Sequence, residues 1–182
     1  MLATRCMNRL VLLALCLLLA GPLCAQKQQH EPLTEKQIDQ IAEAGIEPNA
    51  RLALYTKFVN EHMDVINGLA KRANTEARNH KIASELEDLT ALMDELNSNI
   101  DTYAERKADI RRSLKALIPA VDRWHQTLRA LLAETSFELA RKEAIESAQD
   151  LADETQRLHS EQNAYFEQHK DEAGQDRWEP HP

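Results

Sequence analysis

The chain has 182 residues, 22 of them basic and 30 acidic, for a net charge of −8. That length suits one domain, and the acidic balance disfavours nucleic acid and anionic membrane surfaces as partners. With only four glycines and six prolines among abundant Ala, Leu, Glu and Arg, the composition speaks against a strand-rich fold and predicts an all-α one.

The first 25 residues are predicted as an export signal. Arg5 and Arg9 supply a positive start, Leu10 to Leu19 an apolar middle, and Ala25 a small residue at the cut. The apolar run is shorter than the roughly 20 residues a membrane span needs, so no stable membrane anchor is expected. Lipidation of Cys24 is disfavoured because Leu23 and Gly21 stand where a small residue and a leucine would be wanted. Cleavage near Ala25 places the protein in the periplasm or outside the cell. It leaves 157 residues with net charge −10, because the signal takes two bases and no acid with it. Cys6, Cys16 and Cys24 all leave too, so the expected mature chain has no disulfide, thiolate metal site or cysteine nucleophile.

Residues 26–47 read as a polar leader and a short helix. Thr34 and Gln37 are spaced as a capping box, and Gly45 followed by Ile46 predicts a Schellman ending. Pro48 then suits the first turn of a second helix, predicted to reach about Arg78. Its seam is Leu52, Tyr55, Val59, His62, Ile66, Leu69 and Ala73, with a turn expected across Asn74 to His80.

From Ile82 to Leu131 apolar residues recur in steps of four and three through Leu86, Leu89, Met93, Leu96, Ile100, Tyr103, Ile110, Leu114, Leu117, Val121, Trp124 and Leu128. Lys107 is the single polar intruder. Because the register passes through Pro119 unbroken, one kinked helix of about 50 residues is predicted, ~75 Å long. A turn at Ile118-Pro119 is the alternative. A last helix is expected to open at a second capping box, Thr135 with Glu138. It continues through Phe137, Ala144, Ala148, Leu151, Thr155, Leu158, Gln162 and Tyr165. Residues 48–170 thus form the helical bundle, and 171–182 read as a disordered tail.

Charge predicts which helices meet. Residues 81–105 carry seven acids and one base, whereas 106–129 carry seven bases and two acids. The segment before them is net +2 and the last helix net −7, so each neighbour folds back on a half of opposite sign. The resulting fold is an elongated antiparallel helical bundle or coiled coil with one long central helix; a compact four-helix bundle is the alternative.

Chemical signatures are sparse. A di-iron bundle needs two Glu-x-x-His pairs, and the nearest match is Asp122 with His125. His62 reads as a satisfied core histidine, Glu76 with His80 as a surface pair, and His169 and His181 as loose metal candidates at most. No phosphate loop, nucleophile elbow or H-E-x-x-H is present. The expectation is therefore no enzyme, no cofactor and no metal. Lys107, Arg111, Arg112 and Trp124 stand out as interaction or register positions. Lys107 reads as a long stem reaching past the core to water, with an acid of the last helix as its alternative partner. The cluster Arg106, Arg111, Arg112 and Lys115 would pair with that acidic helix, with phosphate or an acidic polymer as the alternative. Trp124 would be core.

Leu33-Thr-Glu-Lys-Gln37 resembles the L-T-x-x-Q motif of small periplasmic stress proteins of the Spy and CpxP kind. That resemblance implies a helical cradle acting as an ATP-independent chaperone. It covers five residues, and the motif does not recur. As a whole the chain is similar to uncharacterised exported helical proteins of bacteria, which implies no activity. The expected function is an exported helical scaffold or interaction protein that binds protein partners, with self-association as one form of this. A holdase, or a carrier of a small ligand or metal, is the alternative.

Overall fold

The computed structural model describes residues 31–174. The expected signal, including Cys6, Cys16 and Cys24, the first part of the polar leader and residues 175–182 lie outside the described residues. Among the described residues the fold is all-α, with five helices and no strand: α1 Glu35–Glu43, α2 Pro48–Ala70, α3 Glu76–Glu105, α4 Arg111–Ala130 and α5 Glu138–Gln168.

Local sequence rules place the first two helices. The Thr34 hydroxyl accepts the Gln37 amide at 3.3 Å while Gln37 Oε1 accepts the Thr34 amide at 2.9 Å, closing the capping box. Gly45 ends α1 with a φ of 62°, and its amide donates to the Ala42 carbonyl. The Ile41 carbonyl takes a guanidinium hydrogen bond from Arg51 at 3.3 Å, and Ile46 stays exposed. Pro48 opens α2, with the Glu47 carboxylate capping the Ala50 amide.

The second helix stops at Ala70, before the expected Arg78. Thr75 caps the next helix by accepting the Arg78 amide at 3.2 Å, a start signal the apolar seam does not show. Arg78 instead reaches back and donates to the Leu69 and Ala70 carbonyls at 3.0 and 3.1 Å. These are carbonyls that a helix end leaves without partners.

The expected single helix from Ile82 to Leu131 is two helices, separated at 106–110 and not at Pro119. The Ala108 amide donates to Tyr103 and the Lys107 amide to Ala104, the paired bonds of a Schellman ending, with Lys107 in the left-handed region at φ 57°. Ala108 is buried beside Tyr103. From α5, the Gln162 side chain then closes the turn. Its Oε1 accepts the Ile110 amide at 3.1 Å and its Nε2 donates to the Ala108 carbonyl at 2.9 Å. This five-residue turn keeps the spacing from Tyr103 to Ile110 at seven residues, so the heptad count runs on across a real break. Helix α4 continues through Pro119, which is exposed.

The second expected capping box is also absent. Helix α5 begins at Glu138 behind a buried Phe137, with no side-chain cap, and the Glu138 carboxylate binds Arg141 Nε at 2.9 Å. Phe137 has greater reason to be buried than Thr135 to cap, and burying it rotates the start of the helix by two residues. Of the expected disordered tail, residues 171–174 are described. Glu172 accepts the Tyr165 hydroxyl at 2.6 Å, and the Gly174 amide donates to Asp109 Oδ2 at 2.9 Å.

Packing joins α2 to α3, α3 to α5, α5 to α4 and α4 to α2, with α1 against α2. Hydrogen bonds give the directions. Tyr55 meets Glu95 and His62 meets Glu85, so α2 and α3 are antiparallel. Gln162 meets residues 108 and 110 while Arg141 meets the Leu128 carbonyl, so α4 and α5 are antiparallel too. Asn49 and Asn60 meet Ser113 and Trp124, which makes α2 and α4 run the same way. The turn 71–75 and the connection 131–137 therefore share one end, here the upper end. The turn 106–110, the start of α2 and the end of α5 share the lower end. The apolar seams meet in one core, where Leu52, Phe58, Ile82, Leu89, Leu96, Leu114 and Trp124 have almost no exposure.

The helices expected from composition to meet do pack, α2 on α3 and α5 on α4. Arg111, however, pairs with Asp109 of its own loop rather than with an acid of α5. An unforeseen contact also sets acidic α3 beside acidic α5. There Asp101 faces Glu154, and its carboxyl is pushed up to about 6 by burial and by that neighbouring carboxylate.

Candidate interaction surface

At the lower end the side chains of the turn engage one another, with a cleft beside them. Arg111 forms a two-pronged pair with Asp109, at 2.8 Å from Nε and 2.7 Å from Nη2, and its guanidinium lies 4.6 Å from the Phe166 ring centre. The Arg111 hydrogen bonds outweigh burial and hold the Asp109 carboxyl below its ordinary range. Asn49 Nδ2 donates to the Asp109 carbonyl at 3.0 Å, and Ser113 donates to Asn49 Oδ1 at 2.7 Å. Lys107 Nζ sits 5.1 Å from the Tyr165 ring centre, not on an acid of the last helix.

The four positions singled out in the sequence thus fall in different places. Lys107 is an exposed turn residue, and Arg111 is engaged by its own loop and by Phe166. Arg112 is exposed and lines a cleft of about 540 Å³ between α2 and α4. Trp124 is core, 1% exposed, with its indole N–H donating to Asn60 Oδ1 at 2.8 Å. They do not form a common site. His62 also behaves as a core histidine, with Nδ1 2.7 Å from Glu85 Oε2. Burial alone would raise the Glu85 carboxyl, but hydrogen bonds from Lys81 and His62 hold it below its ordinary value. His80 and Glu76 are an exposed pair at 3.6 Å. Among the described residues no group of three or more His, Cys, Asp or Glu could hold a metal ion, and no helix is long and apolar enough to cross a membrane.

The upper end is different. A relay of side chains fixes its frame: Arg78 donates to Asn79 at 2.9 Å, Asn79 to Asn74 at 2.8 Å and Asn74 to Glu134 at 3.0 Å. The turn 71–75 is thereby tied to the connection 131–137. Beside this frame a cleft of about 380 Å³ opens between α2 and α4, with Ala70, Leu131 and Leu132 as apolar lining and Asn67, Arg123 and Gln126 as polar lining. At Leu131 the backbone leaves the helix for extended geometry, ψ 125°, and Leu132 projects into solvent. Leu132 is 80% exposed and Leu139, on the outer face of α5, is 71% exposed. Leu132 belongs to the lining of this cleft, whereas Leu139 stands at the same end of the bundle on α5. Burying each in a partner would contribute about 1.5–3 kcal/mol.

Sequence reasoning missed this surface because Leu132 and Leu139 lie off the seam. Off-seam leucines at "ALLAETSFELA" were the signal, since a helical interior claims its seam residues and leaves such positions for polar side chains. No family model, curated protein or solved structure matches the chain.

Proposed function

We propose that this protein is an exported helical interaction protein that engages protein partners through its upper end and catalyses no reaction. The observation that carries the reading is the pair of exposed leucines at the upper end, Leu132 lining the α2/α4 cleft and Leu139 at the start of α5. At the lower end Arg111 and Lys107 are already engaged by Asp109, Phe166 and Tyr165. The scaffold we propose is a compact four-helix bundle in which α2, α3, α4 and α5 alternate up and down, with α1 laid against α2. The four helix pairings and their directions support this shape over one built on a long central helix.

Residues 1–25 serve as the export signal in this account, and the protein acts beyond the inner membrane. Mass spectrometry of the protein recovered from the export compartment should find Gln26 as the first residue; a chain retaining Met1 would remove that part. The interaction reading is tested by affinity capture from that compartment with wild type and a Leu132→Ser/Leu139→Ser double variant. Partners, foreign chains or further copies, should be held by wild type and lost from the variant while its melting curve stays unchanged. Equal capture by both would refute an upper-end surface.

A further inference from the structure

We infer that the occupant of the upper cleft is a second copy of this chain, held in a two-fold dimer in which Leu139 of each copy enters the cleft of the other. This rests on the interaction reading above and goes beyond it by naming the partner. Knob and cleft lie on the same end of the same chain, which is the condition for a self-complementary, closed interface. The knob is Leu139, 71% exposed at the start of α5, and the cleft of about 380 Å³ offers Ala70, Leu131 and Leu132 as accessible apolar lining over the buried Ile66 and Leu128.

Charge on the two surfaces is complementary. Glu143 follows Leu139 by four residues and shares its outward face, one helical turn down. Arg123 lines the cleft one turn below Thr127, is exposed, and uses Nη2 for a single 3.3 Å hydrogen bond to Asn60. With Leu139 seated against Ala70 and Leu131, Glu143 of one copy is brought toward Arg123 of the other. Two-fold symmetry makes this contact twice. The chain is acidic overall, so dimerisation sets two local attractions and the apolar plugs against general repulsion.

The test is sedimentation equilibrium of the protein recovered from the export compartment, over a range of concentrations. Wild type should dimerise reversibly. Leu139→Glu should weaken the dimer by about a hundredfold or more, because a symmetric interface loses the plug twice. Ala70→Phe, which fills the cleft from within, should do the same with the knob intact. Arg123→Glu and Glu143→Arg should each weaken the dimer, and the two changes in one chain should restore it. That rescue is a result that a simple folding defect cannot produce. Wild type that stays monomeric throughout overturns the dimer. If that monomer still captures a foreign protein in a Leu139-dependent way, the cleft belongs to that protein, and the interaction reading survives. Dimerisation that ignores all four substitutions places the interface elsewhere and overturns the inference.

Discussion

Gln162→Leu probes the feature that separates α3 from α4. The Gln162 side chain is 6% exposed and makes two hydrogen bonds to the turn, one accepted from Ile110 and one donated to Ala108. Ile110 and Ala108 are themselves buried, at 0% and 2% exposure, so water cannot replace the lost partner without opening the turn. Leucine has nearly the same shape and leaves one backbone donor and one acceptor orphaned. Each orphan costs about 1–3 kcal/mol, and leucine's greater apolarity returns on the order of 1 kcal/mol, so the net loss should be about 2–4 kcal/mol. Urea unfolding followed by helical signal should show a lower midpoint with an unchanged slope. Gln156→Leu, at an exposed position six residues earlier on the same helix, serves as the control and should change stability little. A loss below about 0.5 kcal/mol for Gln162→Leu would refute the reasoning, since the turn would then not depend on α5.

Lys107→Gly should stabilise the protein by about 0.5–1 kcal/mol in the same assay, because glycine accepts the left-handed backbone at this position and lysine does not. Pro119→Ala should also stabilise, by about 1–3 kcal/mol, since the helix runs through Pro119 and alanine restores an amide for the Lys115 carbonyl. Destabilisation there would mean that the proline's fixed backbone angle helps the native state. Asp101→Asn should be pH-dependent. The Asp101 carboxyl titrates near 6 in the fold against an ordinary 3.8, so its contribution is complete below the lower value and is lost as pH rises through the higher one. The variant should match wild type near about pH 4 and exceed it at about pH 7.5 by roughly 1–2 kcal/mol after solvent screening, as read from melts at both values. Leu96→Ala, at a site with no exposure, should cost about 2–5 kcal/mol in urea unfolding, and a loss under about 1 kcal/mol would mean a core that collapses around the gap.

The all-α class, the opening capping box and the central seam were legible in the sequence, because each rests on local periodicity and spacing. The expected seam residue Ala73, by contrast, is exposed, and Phe166 rather than Tyr165 is buried near the end of α5. From Ile82 to Leu128 the seam residues are buried as expected, and the one polar intruder, Lys107, is the residue at the break. Two signals marked that break. One was Lys107 itself, and the other was the reversal of charge between Glu105 and Arg106. Both were outweighed by the intact heptad count, which a five-residue Schellman turn happens to preserve. The turn is stabilised by Gln162, more than 50 residues away, and no local pattern announces a contact of that range. Pro119 drew attention for the cost it carries, yet α4 tolerates it on an exposed face where the ring meets solvent. The exposed leucines of the upper end were illegible for a related reason: they are conspicuous only once the core has been assigned to other residues.

Photo-cross-linking in living cells tests the central claim most directly. A benzophenone amino acid replaces Leu132 in one strain and Asp153, on the outer face of α5 well below the upper end, in another. The account predicts that irradiation yields a discrete cross-linked protein species from position 132 and none from position 153. Cross-linking at 153 with none at 132 would contradict an interaction protein that works through its upper end.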